Sequence, residues 1–209
     1  KNGGMWFKTR EGISLFDGER FTTLDRFKRS YHAIGGIYED EAGVIWFGTE
    51  IDGVFQYHNN QLVSFLPDSE MSQVEIYDIE KGDDGEIWLA SGNGLFRYKN
   101  QTISRFTTSD GLAQDHVQRI FLDKSGGLWL CHQGRTGAIG LGLTYYDGNQ
   151  FSIFTEQDGL PSNTITSACQ GNSNGVWFGT QQGLVYYDGQ DFTTYNITDG
   201  LPTNKIISL

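Results

Sequence analysis

Five tryptophans divide this chain into copies of one phrase. Trp6, Trp46, Trp88, Trp129 and Trp177 follow one another at intervals of 40, 42, 41 and 48 residues, each inside a short β-prone run. The last copy is the fullest. It runs Gly175-Val176-Trp177-Phe178-Gly179-Thr180, then Gly183-Leu184-Val185-Tyr186-Tyr187-Asp188-Gly189, then Phe192-Thr193-Thr194-Tyr195, then Asp199-Gly200-Leu201-Pro202-Thr203-Asn204. A period near 42 residues, broken by turn residues, marks a repeat array whose units bury their faces only by stacking on one another. With four short strands per period, the array is all-β: a β-propeller of four-stranded antiparallel blades, about five of them in this chain.

Residues 37–66 lay out one unit. Ile37 to Asp40 is a first strand, A, and Glu41-Ala42-Gly43 a turn. Val44 to Thr49 is strand B, dense in β-formers. Asp52-Gly53 turns the chain into strand C, Val54 to Tyr57. His58-Asn59-Asn60 turns it again into strand D, Gln61 to Phe65. The Trp of each strand B is the largest apolar side chain of its unit, and its place is the core between blades. The repeats fall at about 1–30, 31–70, 71–112, 113–160 and 161–203 of a single propeller domain. The first unit lacks a strand A, and Lys205-Ile206-Ile207-Ser208-Leu209 has the character of one. A closing strand over 204–209, laid beside Trp6, would complete the first blade and remove two raw sheet edges. A slice of a longer propeller is the alternative, and a chain that starts and stops in mid-repeat has the look of a piece of a longer protein.

Composition narrows the function. The chain has 209 residues, 37% hydrophobic and 20% charged, which is a globular composition. Its 28 glycines and 3 prolines suit many tight turns between strands. A formal net charge of −11 sets a repulsive field against a phosphate backbone, so nucleic acid is not a partner to expect. Two cysteines, Cys131 and Cys169, are too few for a disulfide scaffold, and no C-x-x-C metal spacing occurs. No apolar run is long enough to span a membrane. No signature of a cofactor site, a metalloenzyme or a nucleophilic enzyme appears in a supporting context. The expectation is a binding protein with no catalytic residue, no metal and no cofactor.

Three phrases in register, [LIV]-W-[FL]-G-T, G-L-x-x-Y-D-G and D-G-L-P-x-N, give the chain a family likeness. The fifth unit carries all of them from Trp177 to Asn204, and the fourth keeps Tyr146-Asp147-Gly148 and Asp158-Gly159-Leu160-Pro161-Ser162-Asn163. The third keeps Asp110-Gly111-Leu112 but has Ala113 and Asp115 where Pro and Asn are expected. This pattern resembles the two-component regulator propeller repeat over essentially the whole chain. The resemblance implies the periplasmic sensor region of a membrane-anchored hybrid two-component histidine kinase of bacteria. Such a region binds an oligosaccharide or another small extracellular ligand and signals through rearrangement of a homodimer. In some relatives the output is a diguanylate cyclase. Any catalytic output would lie in other domains. Independently of family, Tyr-Asp-Gly is a tight-turn phrase, and the Leu of Asp-Gly-Leu-Pro-x-Asn is placed to plug the gap between neighbouring sheets.

Candidate ligand residues come from departures from the repeat. In an up-and-down meander the B–C and D–A loops share one end of the blades, and loops on a rigid scaffold are where binding residues gather. The first D–A loop holds Arg26, Lys28, Arg29, Tyr31 and His32, a cationic cluster in an acidic chain that suits an anionic or sulfated sugar. The fourth B–C loop carries about seven extra residues, with His132, Gln133 and Arg135 in or beside them. His116, in the third D–A loop, shares that end. Two other readings are a protein-interaction scaffold and a lyase resembling the virginiamycin B lyases, for which His116 and His132 would be the acid–base candidates.

Overall fold

The computed structural model describes residues 4–9, 12–24, 34–65, 70–82, 84–132, 140–172 and 175–209. Each period folds as an antiparallel meander. The first sheet is β1 (Met5–Thr9), β2 (Gly12–Phe16) and β3 (Phe21–Thr23), and the second is β4 (Ile34–Glu39), β5 (Ile45–Thr49), β6 (Val54–His58) and β7 (Gln61–Phe65). The third is β8 (Ile76–Lys81), β9 (Ile87–Ser91), β10 (Gly94–Lys99) and β11 (Thr102–Phe106). The fourth is β12 (Val117–Leu122), β13 (Leu128–His132), β14 (Leu143–Tyr146) and β15 (Phe151–Phe154). The fifth is β16 (Ile165–Gln170), β17 (Val176–Thr180), β18 (Leu184–Tyr187) and β19 (Phe192–Tyr195). Strands are neighbours in space in the order of the chain, so the fold is all-β with β-propeller blades, as the period requires. The chain forms two compact units, residues 1–79 and 80–209, whose boundary falls inside β8. Both cysteines are free thiols. Among the described residues no helix is long and apolar enough to cross a membrane.

Within each compact unit the blade joints are built on strand-B tryptophans. Trp46, Trp88 and Trp129 are buried, while Trp6 and Trp177 are half-buried. In the first unit Trp6 meets Phe47 and Tyr57 of the next sheet edge-on, at centroid distances of 5.3 and 5.1 Å. In the second unit Trp129 meets Phe178 and Tyr187 in the same way, at 5.0 and 5.1 Å. A buried indole also needs an acceptor for its N–H. The A–B turn supplies it: Trp46 Nε1 donates to Asp40 Oδ2 at 3.0 Å and Trp129 Nε1 to Asp123 Oδ2 at 2.9 Å. The other oxygen of Asp123 accepts from the amides of Ser125 and Gly127 and from the Ser125 hydroxyl, so one carboxylate locks the turn to the core. The third sheet has Gly82 at that turn position, and Glu86 fills the space instead, 3.4 Å from Trp88 Nε1.

The Asp-Gly-Leu bridge between blades is a capped 3-10 turn. Thr107, Thr155 and Asn196 begin three such turns, and Asp110, Asp158 and Asp199 accept from their backbone amides in a reciprocal capping box. The glycine that follows, Gly159 in the fourth repeat, has φ near 107°, which a side chain would strain. Leu112 and Leu160 are then buried between successive sheets, the plug that the sequence suggested. The last residue of the phrase closes the loop: Asn163 Oδ1 accepts from Glu156 N and Asn204 Oδ1 from Ile197 N. Asp115 does the same for Thr108 N at 2.7 Å, so its carboxylate replaces the amide oxygen without loss of the bond.

One expectation needs correction. Residues 204–209 form no strand, and among the described residues the first sheet has three strands rather than four. The backbone of Ile206 is engaged by the fifth sheet instead: its N–H donates to Thr180 O at 3.0 Å, and its carbonyl accepts from Thr166 Oγ1 at 2.8 Å.

The end of strand B carries a further repeated device. Thr49, Ser91 and Thr180 are fully buried, and each hydroxyl donates across the B–C turn to the carbonyl of Gly53, Gly94 and Gly183. In the fourth sheet, where that loop is longer, His132 holds the position. Its Nε2 lies 2.7 Å from Thr144 Oγ1, which also accepts from Ala113 N, and its Nδ1 lies 3.3 Å from His116 O. The longer imidazole reaches strand C where a hydroxyl would fall short. Burial pulls the His132 pKa from 6.5 down to about 4.

Two outcomes follow. Asp123→Ala orphans a buried indole and two turn amides, and is expected to cost about 2–4 kcal/mol in chemical denaturation. The unfolded chain protonates His132 near pH 6.5 and the folded chain only near pH 4, so acid favours the unfolded state. Stability is therefore expected to fall between these pH values by up to roughly 3 kcal/mol. His132→Gln should flatten that part of the denaturation midpoint profile.

Candidate functional site

A cleft of about 730 Å³ opens in the first unit between the first two sheets. Its first-sheet wall is Trp6, Leu15 and Asp17; its second-sheet wall is Glu39, Tyr57 and the His58-Asn59-Asn60 turn. The side chain opposite the tryptophan in the ladder varies from sheet to sheet. Opposite Trp129 and Trp177 stand Tyr145 and Tyr186, with ring centroids 4.5 and 4.6 Å from the indoles, and opposite Trp46 and Trp88 stand Gln56 and Arg97. Opposite Trp6 stands Leu15, a shorter apolar side chain that lines the cleft. Among the described residues, no acceptor meets the Trp6 indole N–H, whereas Trp46 and Trp129 each give theirs to an Asp of their own A–B turn.

Turn chemistry fixes the polar rim. Asp17 Oδ1 accepts from the amides of Glu19 and Arg20 at 2.9 Å, which holds its carboxyl below the usual range and keeps it charged. Arg20 Nε lies 3.5 Å from Oδ2, a solvent-exposed pair of little energetic consequence. Asn59 and Asn60 have φ of 50° and 61°, the left-handed pair of a tight two-residue hairpin. Tyr57 Oη donates to Asn60 Oδ1 at 3.2 Å. The cleft thus offers a partly open aromatic surface, an indole donor, side-chain amides and two carboxylates. That set stacks on a flat ring and pairs with hydroxyl groups, and it disfavours an anionic ligand.

The residues singled out by sequence fall elsewhere. Arg26, Lys28, Arg29, Tyr31 and His32, with Gln133 and Arg135, lie outside the described residues. His116 and His132 are brought together in the second unit, but both are buried, and both ring nitrogens of His132 lie against protein atoms. The sequence-based candidates lie in B–C and D–A loops, whereas the cleft is lined by A–B and C–D turns. Among the described residues no group of three or more His, Cys, Asp or Glu side chains is arranged to hold a metal ion.

Residues 29–50 and 159–182 match the family described as the two component regulator propeller. No curated protein matches the chain. Over 98% of its length the chain is similar, at a TM-score of 0.79 and 22% identity, to an extracellular domain assigned to a hybrid two component system of B. thetaiotaomicron, of which it covers 28%. It is similar over its whole length to the virginiamycin B lyase from Staphylococcus aureus, at a TM-score of 0.71 and 16% identity, covering 70% of that chain. It is also similar over 92% of its length to PorZ, a surface component of the type-IX secretion system of Porphyromonas gingivalis, at a TM-score of 0.65 and 15% identity, covering 32% of that chain. The chain thus spans under a third of the first and third of these. At such identities the likeness establishes the fold. Two stretches of this propeller chain carry the two component regulator propeller repeat.

Proposed function

We propose that this chain is part of the ligand-sensing propeller of an extracytoplasmic two-component sensor, held at the membrane by other parts of that protein. The observation that carries the reading is the repeat match at residues 29–50 and 159–182. The ligand is an oligosaccharide, and the response is a shift between arrangements of a homodimer, which requires the ligand to bind one arrangement more tightly than the other. Two places in the chain could take the sugar. The cleft at Trp6, with Asp17 and Glu39 on its walls, suits a neutral sugar. The basic loop with Arg26, Lys28 and Arg29 suits a uronic or sulfated one. The lyase reading is weaker, because the ring nitrogens of His132 are held by Thr144 and the His116 carbonyl.

Thermal unfolding against neutral, uronic and sulfated oligosaccharides tests this. A sugar at ten times its Kd stabilises by about 1.4 kcal/mol, which is roughly 3–6 °C in Tm for a chain of this size. The expected result is such a shift with neutral sugars. Trp6→Phe, which keeps a ring but removes the indole donor, should then weaken binding about five-fold. A shift with acidic sugars only, lost on combining Arg26→Ala and Arg29→Ala, would move the site to the basic loop. No shift with any sugar would sink the sensor reading.

A further inference from the structure

One cation of the second unit is held in place without a counter-charge. In the fourth and fifth sheets a tyrosine stands opposite the strand-B tryptophan, Tyr145 opposite Trp129 and Tyr186 opposite Trp177. Each tyrosine lies over a glycine two residues before the tryptophan, Gly127 or Gly175, where any side chain would run into its hydroxyl. In the third sheet both positions change together. Glu86 takes the place of the glycine, and Arg97, opposite Trp88, takes that of the tyrosine.

The change sets opposite charges side by side, yet Glu86 and Arg97 do not pair. Glu86 is engaged elsewhere. Its Oε1 lies 3.4 Å from Trp88 Nε1, and Lys99 Nζ lies 3.7 Å from its Oε2 and 3.1 Å from Asp84 Oδ2. Lys99 thus serves both acids of the turn. Arg97 is half-buried, with its guanidinium carbon 5.6 Å from the centre of the Trp88 ring and 5.5 Å from that of Phe106. Two aromatic rings hold the cation through their quadrupoles, but they offer it no oxygen. Among the described residues no hydrogen bond or ion pair reaches this guanidinium, and its Nε is buried without an acceptor.

We propose that Arg97 anchors a binding site for a small carboxylate at the joint between the third and fourth sheets. A buried donor without an acceptor lowers stability, so a ligand that supplies an acceptor is favoured. A guanidinium presents paired N–H groups that match the two oxygens of a carboxylate. Contact with Trp88 and Phe106 fixes the fork before a ligand arrives, so little rotamer freedom is lost on binding. The acids of the neighbouring turn, Asp84 and Glu86, favour a ligand of single negative charge over a dianion such as sulfate. This site belongs to the other compact unit from the cleft at Trp6, and it does not depend on the sensor reading.

Glucuronate is the probe, with its neutral methyl ester and inorganic sulfate as controls. In a magnetic-resonance titration of the isotope-labelled chain, glucuronate is expected to shift the Arg97 Nε–H signal, and the ester to leave it in place. In calorimetry, Arg97→Lys keeps the charge but loses the fork, and should bind glucuronate about ten-fold more weakly. Arg26→Ala combined with Arg29→Ala should bind it as the wild type does. Circular dichroism checks that the variants fold; if Arg97→Lys does not, the wild-type titration decides. An Arg97 signal that glucuronate leaves unmoved overturns the proposal, as does undiminished binding by a folded Arg97→Lys. A shift that the ester or sulfate reproduces in full overturns it too, because the site would then read the sugar or the charge alone. Loss of binding in the Arg26 and Arg29 variant would place the carboxylate at the basic loop instead.

Discussion

A blade of four short strands has two faces and cannot bury both alone, so stability rests on the wedge that one sheet drives into the next. Here the wedge is an indole. Its area supplies the burial, and its single N–H sets a condition: the strand-A-to-B turn must bring an acceptor to the right place. Asp40 and Asp123 meet that condition directly. Glu86 meets it by reaching over Gly82, into space that a side chain there would occupy. The turn, the wedge and the neighbouring sheet are therefore coupled, and a change at Asp123 is felt at the joint with the next sheet as well as in its own hairpin.

Loops between blades follow the same economy. The Asp-Gly-Leu phrase satisfies its own amides through a capping box, turns on a left-handed glycine and delivers a leucine into the joint. Its acidic residues are bound to backbone amides, so the negative charge of the chain is in part turn chemistry and not a ligand signal. Asp147 and Asp188 show this too: amides of the turns they open hold their carboxyls below the usual range. A loop whose polar groups are all engaged by its own backbone is a rigid splice. Ligand recognition then falls to positions where the splice is altered.

What was legible in the sequence was what repeats. The tryptophan period, the strand order, the tight turns and the leucine plug all come from residues whose local chemistry decides their conformation. Asp115, a departure from the phrase in the sequence, keeps the bond of the expected Asn because only an acceptor oxygen is needed. Positions whose role depends on a partner distant in the chain were not legible. His132 looked like a ligand residue because it flanks the long fourth B–C loop, yet it is the fourth version of a Thr or Ser that ties strand B to strand C, lengthened to span a longer loop. Residues 205–209 had the composition of a strand, but strand pairing is a property of two segments, and Ile206 bonds to the fifth sheet. The cleft was not legible because its walls, Trp6 and Leu15 on one sheet and Tyr57 with the His58-Asn59-Asn60 turn on the next, meet only through the packing of two sheets.

The first sheet concentrates these departures. It leaves an indole partly uncovered beside Asp17. A sugar covers an open indole face at the cost of ordering a small molecule. The ring that packs edge-on against Phe47 and Tyr57 thereby keeps one flank for a ligand, and the same joint that holds the two sheets together sets the position of the site.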